Sequence, residues 1–110
     1  MTQTQNPASV LDSATRRRLR QIAHHLHPVV TVGDSGVTDG VVAEAERAIH
    51  DHELIKVRVH GADREARGTA LDELTERLGA IDVQRIGKIA VLYRKNLKPN
   101  EKLSNLKRFS

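Results

Sequence analysis

The chain has 110 residues, enough for one compact domain and too few for two independent cores. With one Tyr, one Phe and no Trp the core must be aliphatic and aromatic base-stacking platforms are excluded. The lack of Cys excludes disulfides, thiolate metal sites and cysteine nucleophiles. The net charge of +4 is unevenly spread, with four basic and two acidic side chains in residues 1–36, six and eleven in 37–83, and eight and one in 84–110. Basic ends that meet on one face would suit a polyanion, with the acidic middle covering the other side. Apolar runs fall far short of the roughly 18 residues of a spanning helix, and no basic stretch followed by an apolar one opens the chain. A cytoplasmic protein without membrane contact is expected.

Residues 1–12 are polar and aperiodic and read as a disordered leader. From Asp12 or Ser13, either able to cap a helix, apolar residues recur at Leu19, Ile22, Ala23 and Leu26, the spacing of a one-sided amphipathic helix. Arg16, Arg17, Arg18 and Arg20 occupy its other face. Pro28 stops the helix, and the β-branched run Val29 to Val32 predicts a buried strand. Gly33, Asp34, Ser35 and Gly36 form a tight loop before a second helix, capped by Thr38 or Asp39 and running to about His52.

Leu54 to His60 alternates, with Ile55, Val57 and Val59 on one face and Lys56, Arg58 and His60 on the other, as a half-buried strand requires. A third helix over residues 63–78 points Ala66, Ala70, Leu71, Leu74 and Leu78 inward and ends at Gly79. Residues 81–86 and 89–94 read as strands joined by a tight turn at Gly87 and Lys88, so that the chain closes on a sheet edge. The order predicts an α/β domain with a four-stranded mixed sheet and three helices mainly on one face. Residues 95–110 read as a flexible basic tail, with docking or a short helix through Leu103, Leu106 and Phe109 as the alternative.

The Gly33–Gly36 loop joins a strand to a helix start, where backbone N–H groups and the positive end of the helix dipole can meet a phosphate. A GxxG pattern also occurs in plain turns; the basic helix before it and the basic C-terminus after it favour a nucleic-acid backbone clamp. Asp34 counts against this unless its carboxylate turns back onto a loop N–H. His24, His25 and His27, with the pair His50 and His52, lack the i, i+4 spacing of a helix-borne zinc pair and no HExxH motif occurs, so no metal or other cofactor is expected. No GxSxG elbow or P-loop lysine motif is present, and no enzymatic activity on a small-molecule substrate is expected.

Taken in order, Ala23-His24, Leu26, Pro28-Val29-Val30, Gly33 to Gly36, Val37-Thr38-Asp39-Gly40-Val41, His52-Glu53-Leu54-Ile55-Lys56-Val57 and Ile86-Gly87-Lys88 with Val91-Leu92-Tyr93-Arg94 resemble the CRM domain. This is the RNA-binding module of chloroplast RNA splicing and ribosome maturation, here in its stand-alone bacterial YhbY type and spanning residues 13–94. The resemblance implies a fold similar to the C-terminal domain of bacterial translation initiation factor three and a non-enzymatic role. It also implies RNA binding through the GxxG loop and neighbouring basic surface, and association with ribosomal RNA in large-subunit precursors as an assembly factor. Carried onto this chain, the candidate RNA-binding residues are Gly33, Asp34, Ser35, Gly36, Arg16, Arg17, Arg18, Arg20, Lys88 and Arg94, in a protein expected to be monomeric. The alternative is a protein-interaction adaptor whose basic surface meets an acidic partner.

Overall fold

The first helix begins where a carboxylate can satisfy its free N–H groups: Asp12 accepts from the Thr15 N–H at 2.7 Å, and α1 runs over Ser13–Ala23. The computed structural model describes residues 11–109, so residues 1–10 of the expected leader lie outside the described residues. Leu11 and Asp12, assigned to that leader, belong to the domain; Leu11 packs against the core beneath α1. The helix stops short of Leu26. The His25 and Leu26 N–H groups bond back to the Ile22 and Ala23 carbonyls, a tightened last turn, because Pro28 drives the preceding residue toward extended backbone.

The other elements follow the expected order: β1 Pro28–Val32, α2 Asp39–His52, β2 Leu54–Val59, α3 Arg64–Leu78, β3 Ile81–Ile86 and β4 Ile89–Tyr93. Thr38 and Asp63 cap α2 and α3, accepting from the Val41 and Ala66 N–H groups at 3.1 and 2.8 Å. Gly79, with left-handed backbone angles, closes α3. The sheet order is β1-β2-β4-β3. β1 and β2 are parallel, and β4 is antiparallel to both of its neighbours. The edges are therefore β1 and β3, and the last strand is internal. Ala90, Val91, Leu92 and Tyr93 are all buried, and a strand buried on both faces needs a central place.

The helices divide between the two faces. α2 and α3 pack on one side, over Val30, Val32, Ile55, Val57, Ala90 and Leu92. The expected grouping on one face holds for this pair, while α1 covers the opposite side with Leu19, Ile22 and Ala23 over Leu54, Ile81, Val83 and Tyr93.

Of the two forms expected for residues 95–110, flexible tail or docked short helix, the second is found at residues 105–108. Asn105–Arg108 form a short helix, α4, and Leu106 packs on the α1 side of the sheet. Polar anchors tie it down. Ser104 Oγ donates to Glu53 at 2.6 Å and Asn105 Nδ2 to the Leu54 carbonyl at 2.7 Å, both buried. The other Glu53 oxygen accepts from the Asn96 N–H at 2.7 Å. Glu53 is 2% exposed and holds a φ of +63°, a strained angle for a residue with a side chain. Its hydrogen bonds to the C-terminal segment secure it there.

Candidate nucleic-acid interface

The period-2 alternation of β2 puts Leu54, Lys56 and Arg58 on the α1 side of the sheet. Only Leu54 is buried there; Lys56 is half-buried and Arg58 exposed, because α1 ends over the first part of the strand. The same face carries Val29 at 48% and Ile86 at 63% exposure, with Thr31 also exposed. Where α1 ends, a cavity of about 200 Å³ opens between helix and sheet, floored by Ala23, Ile89 and Val91 and rimmed by Arg20, His24 and Lys56. No carboxylate lines it. On the opposite side, α2 and α3 together carry eight carboxylates against four arginines, and most of these acids are exposed. The sheet thus separates a basic half-open face from an acidic helical one.

The GxxG loop lies at the end of this sheet. It is a turn closed by the Gly36 N–H on the Gly33 carbonyl at 3.0 Å, leading into the Thr38 cap of α2. Asp34 and Ser35 at its tip are exposed, and their N–H groups donate to no acceptor among the described residues. The two glycines differ. Gly36 has φ +78°, which favours glycine on backbone grounds alone. Gly33 has no such angle, and a Cβ there would meet nothing within 4 Å, so the fold does not require a glycine at position 33. The Asp34 carboxylate accepts no hydrogen bond within the described residues, so its repulsion toward a phosphate is unrelieved.

Lys88 stands at the β3–β4 turn, exposed. Its carbonyl accepts from the Val59 N–H at 2.7 Å, while the neighbouring His60 N–H bonds to Val32 at 2.8 Å. Two strand spacings, about 10 Å, therefore separate the Lys88 backbone from the start of the loop. Arg17, Arg18 and Arg20 make no side-chain hydrogen bond or ion pair among the described residues, and Arg20 lines the cavity together with Lys56.

Two of the sequence-derived candidates are engaged elsewhere. Arg16 donates to the Asp82 and Val83 carbonyls at 3.3 and 2.9 Å, pinning α1 to β3. Arg94 donates through both terminal nitrogens to Glu46 at 2.8 and 2.7 Å and also to the Leu78 carbonyl at 3.0 Å. This bidentate pair holds Glu46 below the ordinary carboxylate range and raises Arg94.

Lys56 and Arg58 escaped the candidate set. Their signal was present: an alternating strand whose polar face carries two cations, in a sheet whose helices leave part of one face open. Two of the histidines serve packing and anchoring. His25 stacks on Phe109 with ring centroids 5.5 Å apart, and His52 Nδ1 lies 2.9 Å from the Leu103 carbonyl. Among the described residues no three His, Asp or Glu side chains are grouped to hold a metal ion, and no helix is long and apolar enough to cross a membrane.

The profile of the CRS1/YhbY (CRM) domain matches residues 11–94. The chain belongs to this family. It is 49% identical over 100 residues to a probable RNA-binding protein of Pseudomonas aeruginosa, covering 91% of this chain and 96% of that protein. An RNA-binding protein of Haemophilus influenzae is 46% identical over 86 residues, covering 78% and 87% of the two chains. Among solved structures, a hypothetical protein from Staphylococcus aureus superposes with a TM-score of 0.72 at 27% identity, over 84% of this chain and 96% of that one. For this CRM-family chain, the matched span contains the GxxG loop, Lys56, Arg58 and Lys88, and excludes α4.

Proposed function

We propose that the protein binds RNA across the half-open face of its sheet. In this reading the exposed Asp34 and Ser35 N–H groups meet a phosphate, and Gly33 lets the backbone come close. Arg17, Arg18, Arg20, Lys56, Arg58 and Lys88 neutralise neighbouring phosphates, and Arg16 and Arg94 are left out because intramolecular partners hold them. The observation that carries the proposal is the charge asymmetry across one sheet: a cationic face whose cavity no carboxylate lines, beside a GxxG loop and backed by a layer rich in carboxylates. The names of the Pseudomonas and Haemophilus relatives support RNA as the polyanion. The function proposed is non-enzymatic: recognition of ribosomal RNA in large-subunit precursors by a monomeric assembly factor in the cytoplasm.

An electrophoretic shift with a structured fragment of large-subunit ribosomal RNA tests the binding step, with an acidic protein as competitor. Retention of the shift in excess competitor is expected. Loss of the shift would favour the adaptor reading, in which an acidic protein is the partner. Gradient fractionation of cell lysate tests the assembly role; exclusive sedimentation with the small subunit would overturn it.

A further inference from the structure

We propose that the cavity at the C-terminal end of α1 receives a single unpaired nucleobase of the bound RNA. This rests on the RNA-binding function above and adds a ligand class and a place. The size fits one ring system: cavities of about 150 Å³ admit benzene, drug-sized ligands occupy roughly 300 Å³ or more, and this one is about 200 Å³. Ile86 forms part of its wall at 63% exposure, so the core does not need an aliphatic side chain there. The Gln84 amide also lines the cavity and has no hydrogen-bond partner among the described residues. It offers a donor and an acceptor together, the pair needed to read the edge of a base.

The surrounding charge selects the occupant. Arg20 and Lys56 border the opening and no acid does, so a polyanion can place an apolar ring inside while its phosphates stay beside cations. An Arg guanidinium plane can also stack on a base. This chain lacks the aromatic platforms that usually hold splayed bases; an aliphatic slot closed by Arg20 provides the flat surface they would supply. A fully paired duplex has no free base to insert, so the cavity distinguishes RNA with bulges or loops from continuous helix.

The test uses RNA hairpins carrying one bulged nucleotide, with each of the four bases in turn, and the same hairpin with an abasic bulge. At least one base-bearing hairpin should bind about five- to tenfold more tightly than the abasic one. In the variant I86S/Q84A that ratio should fall to about one, while abasic affinity and its salt dependence stay as in wild type, which also shows that the variant is folded. Equal wild-type affinity for all five hairpins overturns the cavity assignment and leaves RNA binding intact. A ratio that survives in the variant overturns it as well. Failure of every hairpin to bind overturns the function proposed above, and this inference with it.

Discussion

Ile55, Val57 and Val59 lie on one side of β2 and are buried under α2 and α3, whereas Leu54, Lys56 and Arg58 lie on the other, where only Leu54 is covered. The difference comes from the helices. Two helices of 14 and 15 residues roof the first face, while α1 has 11 residues and ends at Ala23, about 16 Å of helix. One strand therefore supplies core on one side and, beyond the reach of a short helix, an accessible cationic surface on the other. Charge follows the same division, with acids on the outer surface of α2 and α3 and cations on the open face.

The largest effect is expected from reversing charge on the open face. Lys56→Glu combined with Arg58→Glu should lower RNA affinity by about tenfold or more. The slope of log affinity against log salt should fall by about 0.7 to 0.9 for each phosphate that is no longer neutralised. Arg47→Glu, on the acidic α2 surface, should leave both within error. An equal drop in affinity from the two changes would erase the distinction between the faces.

Next in size is the anchor of the C-terminal segment. Glu53→Ala removes the acceptor of the Ser104 hydroxyl and the Asn96 N–H and should cost about 1 to 3 kcal/mol in denaturant unfolding. Faster amide exchange in residues 104–108 should accompany it. Protection there that survives would show that α4 docks through Leu106 and Asn105 alone.

Arg94→Ala should cost about 1 kcal/mol or somewhat more by removing a partly exposed bidentate pair and a hydrogen bond to a carbonyl, with no change in RNA affinity. Because Glu46 is held below its usual value of 4.5, its contribution is complete above that pH and disappears as the pH falls through the lowered value. The stability gap between wild type and Arg94→Ala should therefore narrow below pH 4.5 without closing, since the hydrogen bond to the Leu78 carbonyl does not titrate. A gap independent of pH would mean that the pair contributes nothing. The smallest change sharpens the loop: Asp34→Lys should raise RNA affinity by about two- to fivefold at low salt, with stability within about 0.5 kcal/mol of wild type.

Strand and helix order were legible because Pro28, Gly79 and the 3.6 and 2.0 periodicities act locally. The division of helices between faces was not, since α1 precedes the first strand and belongs to no crossover, so no local pattern encodes the face it covers. The same holds for α4. Ser104 and Asn105 look like tail residues until Glu53 and the Leu54 carbonyl, about fifty positions earlier, are brought to them. At the site, the GxxG loop and the α1 arginines were readable as motifs, but the local charge of Arg16 and Arg94 hid partners 16 to 67 residues away. Lys56 and Arg58 were passed over for the converse reason: they sit on a strand, and only the uncovered sheet makes them accessible.

The central claim is that RNA lies on the half-open face and not on the helical one, and amide chemical-shift mapping during titration with a structured ribosomal RNA fragment tests it most directly. Shifts should concentrate at Gly33, Asp34, Ser35, Lys56, Arg58 and Lys88 and leave Glu44, Glu73 and Glu76 unmoved. Perturbations centred on the outer surface of α2 and α3, with the loop and β2 silent, would contradict the account.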